Sequence, residues 1–291
     1  MKRAEKALEQ FAETQTRQRL KTLSQNLRKA ARHPDDPDSI HDLRVSIRRF
    51  RQSLRVFRDL FGESHVKKMK RSLREIMQLC GAVRNCDIAM DVLKAAGVPA
   101  SPRMKRELKE ERSQAARRLS KRLAKVNSHG GTRQWRTWLR AEMKNDETVE
   151  ANARAVLLPM TRRFFEAGEG AARAKSTPAE MHQFRLMAKR LRYSFETYGP
   201  MAGAGWQQRI HEMRGLQDRL GAINDCVATA QLLAHRRFQK AGLCESEDVL
   251  RKLLKERTEA FRADWSKRFF KKRSQWLGPG PKPTKKKRKP Q

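Results

Sequence analysis

The stretch IHDLRVSIRRFRQSLRVFRDLFG, residues 40–62, carries six arginines, and between residues 41 and 58 its one acid is Asp42. At about 100° per residue, Leu43, Ile47, Phe50, Leu54 and Phe57 fall on one narrow face, which predicts a helix packed against a core. His41, Arg44, Arg48, Arg51, Arg55 and Arg58 fall on the opposite side, with Arg49 on its flank. A solvated helix face normally mixes signs, because opposite charges at i,i+4 gain a few tenths of a kcal/mol and like charges lose as much. Five or so like-charged neighbours cost on the order of 1–2 kcal/mol in the free protein. One such helix could be chance; two in register would argue for a bound anion that offsets the repulsion.

The pattern recurs. In MHQFRLMAKRLRYSFETYGP, residues 181–200, His182, Arg185, Lys189, Arg190 and Arg192 stand 141 residues after His41, Arg44, Arg48, Arg49 and Arg51. Phe184, Ala188, Leu191, Phe195 and Tyr198 form the matching apolar face. The helix starts repeat too: Asp36-Pro37 and Thr177-Pro178 each offer an N-cap with proline at the first helical position. Downstream, CGAVRNCDIAMDVL (80–93) aligns with LGAINDCVATAQLL (220–233), one residue having been lost in between, and Arg74 finds its equivalent in Arg214. Gly81 and Gly221 read as glycines that end one helix, with a polar cap opening the next.

No alternating β-branched run occurs, and helical periodicity extends almost throughout. Helices are expected near 2–31, 37–61, 64–80, 84–96, 102–126, 148–174, 178–198, 204–220, 224–241 and 246–276. The fold class is all-α: a duplicated helical unit packed as two four-helix-type bundles related by pseudo-twofold symmetry. Residues 1–128 form the first repeat, 129–277 a linker and the second, and 278–291, GPGPKPTKKKRKPQ, a disordered basic tail.

The bulk numbers agree with a polyanionic partner. In 291 residues, 67 Lys and Arg face 32 Asp and Glu, giving a net charge of +35 and a pI near 11.1. Such an excess points to nucleic acid, anionic lipid or inorganic polyphosphate more than to any fold. Arginine suits the task because its planar fork holds two phosphate oxygens at once. Cys80, Cys86, Cys226 and Cys244 show neither a CxxC pair nor zinc spacing and read as reduced thiols. No apolar run approaches the roughly 18 residues of a membrane span, and MKRAEKALEQF is too charged for a secretory signal. The expectation is a soluble, cytoplasmic protein.

The repeated H-x-x-R-x-x-x-[RK]-R-x-R pattern, with LCGAVRNCD and RLGAINDC downstream, resembles the CHAD domain, the conserved histidine α-helical domain, over roughly residues 1–277. That resemblance implies two helical bundles around a basic central channel and a role in binding inorganic polyphosphate, several members being found on polyphosphate granules. Carried over, the ligand positions are His41, Arg44, Arg48, Arg49 and Arg51, then His182, Arg185, Lys189, Arg190 and Arg192; Arg55, Arg74 and Arg214 extend the set. The catalytic triphosphate-tunnel domain often fused to such domains has no counterpart in this sequence. The family's downstream R-D-x-D is altered to Arg84-Asn85-Cys86-Asp87 and Asn224-Asp225-Cys226-Val227, so these acids read as turn caps.

No glycine-rich phosphate loop, HExxH or paired carboxylates appear, and phosphoryl transfer wants acids to hold Mg²⁺. The expectation is therefore a binding protein, with no catalytic residues, metal or cofactor. The competing class is a non-specific nucleic-acid-binding protein. Charge permits it, but the stripes lack interleaved aromatics for base stacking, leaving weak, salt-dependent DNA or RNA binding as a side property. The histidines heading each stripe predict affinity that rises as pH falls, since bound phosphate favours the imidazolium that neighbouring arginines disfavour.

Overall fold

The computed structural model describes residues 2–98, 101–128, 130–141, 147–199, 204–235 and 244–277, and every regular element among them is helical. The helices are α1 (Lys2–Arg32), α2 (Pro37–Val56), α3 (Glu63–Ala95), α4 (Pro102–Ser128), α5 (Gly131–Trp138), α6 (Val149–Ala172), α7 (Pro178–Tyr198), α8 (Ala204–Leu233) and α9 (Cys244–Asp264). A π turn (Trp265–Phe269), a 3₁₀ turn (Phe270–Lys272) and α10 (Arg273–Leu277) follow.

The two arginine-bearing helices start as their sequences require. The Asp36 carboxylate accepts from the backbone N–H of Asp38 and Ser39, and Pro37 sits in the first turn, where its missing N–H costs nothing. At α7, Thr177 and Glu180 close a reciprocal capping box ahead of Pro178. Such a cap is worth about 1 kcal/mol. The apolar faces turn inward as expected: Leu43, Ile47, Phe50, Leu54, Phe184, Ala188, Leu191 and Tyr198 are all fully buried.

Two expectations fail at the glycines. Gly81 and Gly221 do not end helices; α3 and α8 run straight through them. The glycines in left-handed conformation are instead Gly97 (φ 68°) and Gly130 (φ 59°). Two interior glycines cost about 1 kcal/mol each against alanine, but an unbroken buried stripe holds both helices together. It comprises Ile76, Cys80, Val83 and Cys86 in α3, and Leu216, Leu220, Ile223 and Cys226 in α8. Packing outweighs propensity here.

The last expected helix is also interrupted. Between α9 and α10 the π turn brings Trp265 and Phe269 into a stacked pair (centroids 5.3 Å), pressed onto Phe164 and Phe184. Gly168 makes room for the Trp265 ring, which occupies the space a Cβ would need. Part of the expected linker is helical as well: α5 packs on α1, α3 and α4, with Trp135 stacked on Phe50. The expected tail, 278–291, and the end of the helix expected over 224–241 lie outside the described residues.

Helices α1–α4 pack in a ring, α1 on α2, α2 on α3, α3 on α4 and α4 on α1. Helices α6–α9 repeat the order, with the π turn and α10 returning to α6. The two sets meet through corresponding members: α1 touches α6, α2 touches α7 and α3 touches α8. Every helix carrying the basic pattern therefore lies at this junction.

Candidate functional site

Where α2 meets α7, the Gln52 side-chain amide donates to Ser194 Oγ at 2.8 Å, and both residues are buried. This bond fixes how far one helix slides along the other. The basic stripes flank it, with Arg44, Arg48, Arg51, Arg185 and Lys189 half-buried and His41, Arg55, Arg74 and Arg190 exposed. They converge along the seam between the two helix sets.

At the centre stand Arg44 and Arg48 from α2 with Arg185 and Lys189 from α7. An Arg44 Nη1–H donates to the Met77 carbonyl at 3.4 Å, and this guanidinium nitrogen would lie 3.4 Å from a Cβ at Gly81. Gly81 thus gives Arg44 room against α3. Burial, and then the Arg48, Arg185 and Arg84 charges, bring the Arg44 guanidinium down to about 10. Lys189 feels the cluster most: burial first, then Arg185, Arg48 and Arg44, push its ammonium down to about 6, with Asp225 opposing. Burial also lowers Arg185, against the pull of Asp225, and its buried Nε–H has no hydrogen-bond partner among the described residues. His41 is lowered by burial and by Arg48 and Arg84. A buried guanidinium N–H without a partner is costly; an anionic oxygen would supply one.

The seam continues as a second group. Arg51 is lowered by burial, Arg74 and Arg190; Arg55 by burial, Arg190 and Arg51; Lys70 by burial, Arg55, Arg51 and Arg58. Six cations thus act on one another, and Arg55 donates to the neutral Gln52 side chain at 3.1 Å. Among the described residues, none of Arg44, Arg48, Arg51, Arg55, Arg74, Arg185, Lys189 and Arg190 stands in an ion pair.

Four of the expected site residues lie elsewhere. Arg49 and Arg192 are held by Glu196: Arg49 Nε donates to one carboxylate oxygen at 3.0 Å and Arg192 Nη1 to the other at 2.7 Å. Arg192 Nε also donates to Gln217 at 2.7 Å, and Arg19 donates to the Glu196 carbonyl at 3.0 Å. Arg214 lines a cavity of about 390 Å³ beside Arg19, Arg49 and Glu196. His182 is bonded through Nδ1 to Asn224 Oδ1 at 2.9 Å and borders a small, largely apolar cavity with Met181, Leu220 and Ile223.

Conversely, Lys70 and Arg84 join the seam without having been singled out. Lys70 precedes Arg74 by one turn of α3, a signal present in the sequence; Arg84 sits in the segment misread as a turn. Other basic residues of α3 and α4 are committed locally: Arg112 to Asp87 at 2.6 Å, Arg122 to Glu75 at 2.8 Å, Lys67 to Glu63 at 2.8 Å.

No group of three or more metal-ligating side chains gathers among the described residues. The buried thiols are pushed up, Cys80 to about 12 and Cys86 to about 11, mainly by burial, which disfavours the nucleophilic thiolate. Among the described residues no helix is long and apolar enough to cross a membrane.

Comparison with known proteins follows the same lines. The CHAD domain family model matches residues 14–234. PptA from Streptomyces chartreusis superposes on 90% of this chain and 100% of its own, with a TM-score of 0.69 and 16% identity. The CHAD domain from the plant Ricinus communis covers 94% of this chain and 92% of its own, with a TM-score of 0.63 and 18% identity. At these identities the likeness speaks for the fold. No curated protein matches the sequence.

Proposed function

The chain belongs to the CHAD domain family, and from that premise we propose that it binds inorganic polyphosphate in the seam between its two helix sets. One observation carries the reading: guanidinium and ammonium groups from both repeats converge on one seam, and among the described residues most of them have no carboxylate partner there. Like charges so placed raise the free energy of the empty protein, and a chain of phosphates supplies both the countercharge and the missing acceptors. The ligand set is His41, Arg44, Arg48, Arg51, Arg55, Arg74, Arg185, Lys189 and Arg190, to which Lys70 and Arg84 are added.

The two repeats, divided near residue 128, form two bundles about a pseudo-twofold axis with the basic channel along their junction. The pairing of corresponding helices supports this arrangement. The role is binding rather than catalysis, in the cytoplasm on polyphosphate granules.

Non-specific nucleic-acid binding is the second reading, favoured by the net charge of +35. The aromatics speak against it as the main role. Tyr193, whose ring lies close to Arg185, is 4% exposed and covered by the Arg192 guanidinium at 4.7 Å, so no base can stack on it. Competition calorimetry separates the two. Long-chain polyphosphate should displace single-stranded DNA at a much lower phosphate concentration; equal competition refutes the proposal.

A further inference from the structure

The two repeats place the same contact twice between α2 and α7 but give it opposite chemistry. Counterparts on these helices stand 141 residues apart, so Arg190 answers to Arg49 and Arg55 to Glu196. At one place Arg49 meets Glu196, an ion pair at 3.0 Å that is reinforced by Arg192 at 2.7 Å. At the other, Arg190 is the charge that acts most strongly on Arg55, and among the described residues neither guanidinium stands in an ion pair.

The surroundings extend the difference. Counterparts on α3 and α8 stand 140 apart, and there Lys70 is replaced by the buried Ile210, and Arg84 by Asn224. The first repeat's Asn85 becomes Asp225, whose charge reaches Arg185 and Lys189.

We infer that a bound polyphosphate leaves the central cluster in one direction only, over the Arg55–Arg190 side, because Glu196 seals the equivalent exit. The inference rests on the proposed function. The Glu196 side chain, 13% exposed, both occupies the guanidinium donors that phosphate would need and repels phosphate itself. Opening that exit means freeing a carboxylate that Arg49, 41% exposed, shares with Arg192, 13% exposed, which costs more than breaking a fully exposed pair. The opposite exit needs no such step, since its guanidinium groups already lack a countercharge. Glu196 is therefore a specificity-determining residue: it makes a duplicated, two-ended site single-ended and limits how many phosphates are engaged at once.

The same substitution at the two counterpart positions tests this, with linear polyphosphate of defined length as the probe. Arg190→Gln should lower affinity for long chains about tenfold, the loss of one charge-assisted contact, whereas Arg49→Gln should change it less than about threefold. Glu196→Gln, which keeps a hydrogen-bonding side chain in place, should tighten binding. It should also steepen the dependence on salt by about one to two phosphates, as the freed arginines engage the polymer. Circular dichroism checks that each variant folds. Equal losses in the two arginine variants, or wild-type affinity and salt slope in Glu196→Gln, overturn the one-sided path while polyphosphate binding stands. A wild-type chain that binds no polyphosphate overturns the functional reading itself.

Discussion

Arg48 and Lys189 hold the same place in the two repeats, and they meet: the guanidinium of one is among the charges that hold the ammonium of the other near 6. The unfolded lysine titrates near 10.5. Between these values the unfolded chain binds more protons than the folded one, so this site's contribution to stability rises with pH over that window and is least favourable below 6. Lys189→Met should remove the repulsion and the penalty of burying the charge, stabilising the protein at pH 6 by ~1–3 kcal/mol. The gain should shrink towards pH 10. Urea denaturation of both proteins at several pH values is the check, and a pH-independent difference would contradict the assignment.

Binding should favour acid conditions. A phosphate oxygen beside His41 and Lys189 favours their charged forms, opposing the burial and arginine charges that lower both. Affinity for polyphosphate should increase as pH falls from 8.5 to 5.5. His41→Ala should weaken that trend more than His182→Ala does, since His182 is tied to Asn224 away from the seam. Titration calorimetry over this range measures both, and a flat wild-type profile refutes the coupling.

Reversing the charge at the centre should abolish binding without unfolding the chain. Arg44→Glu with Arg185→Glu replaces two unpaired cations by groups that pair with Arg48 and Lys189, so the melting temperature should hold or rise. Affinity should fall at least about a hundredfold, because two contacts are lost and two repulsions gained. Deleting residues 278–291 should cost much less. A larger effect from the tail deletion would place the main contacts outside the seam.

The glycines offer a test of the fold. In a helix interior alanine is preferred over glycine by about 1 kcal/mol, and a Cβ at Gly221 meets nothing within 4 Å. Gly221→Ala should therefore stabilise by ~0.5–1 kcal/mol. Gly168→Ala should destabilise, because the Trp265 ring fills the space. Thermal unfolding decides; a destabilised Gly221→Ala would restore the turn that the sequence suggests.

What was legible in the sequence is what depends on neighbours along a helix. The apolar stripe from Leu43 to Phe57, the caps at Asp36 and Thr177 and the 141-residue duplication are all local or periodic features, and they fix an all-helical, doubled chain with cations gathered on two helices. The glycine error marks the limit of that logic, since propensity at Gly81 and Gly221 points to a turn while a buried stripe holds the helices intact.

Tertiary structure alone decided which cations are free. Charges interact through space, so Glu196, 147 residues from Arg49, ties up Arg49 on the flank of one stripe and Arg192 within the other, which no spacing along the chain foretells. Lys70 and Arg84 enter for the same reason, because α3 lies against α2 and brings them to the seam. Periodicity tells which way a side chain leaves its own helix; what waits for it there belongs to another part of the chain.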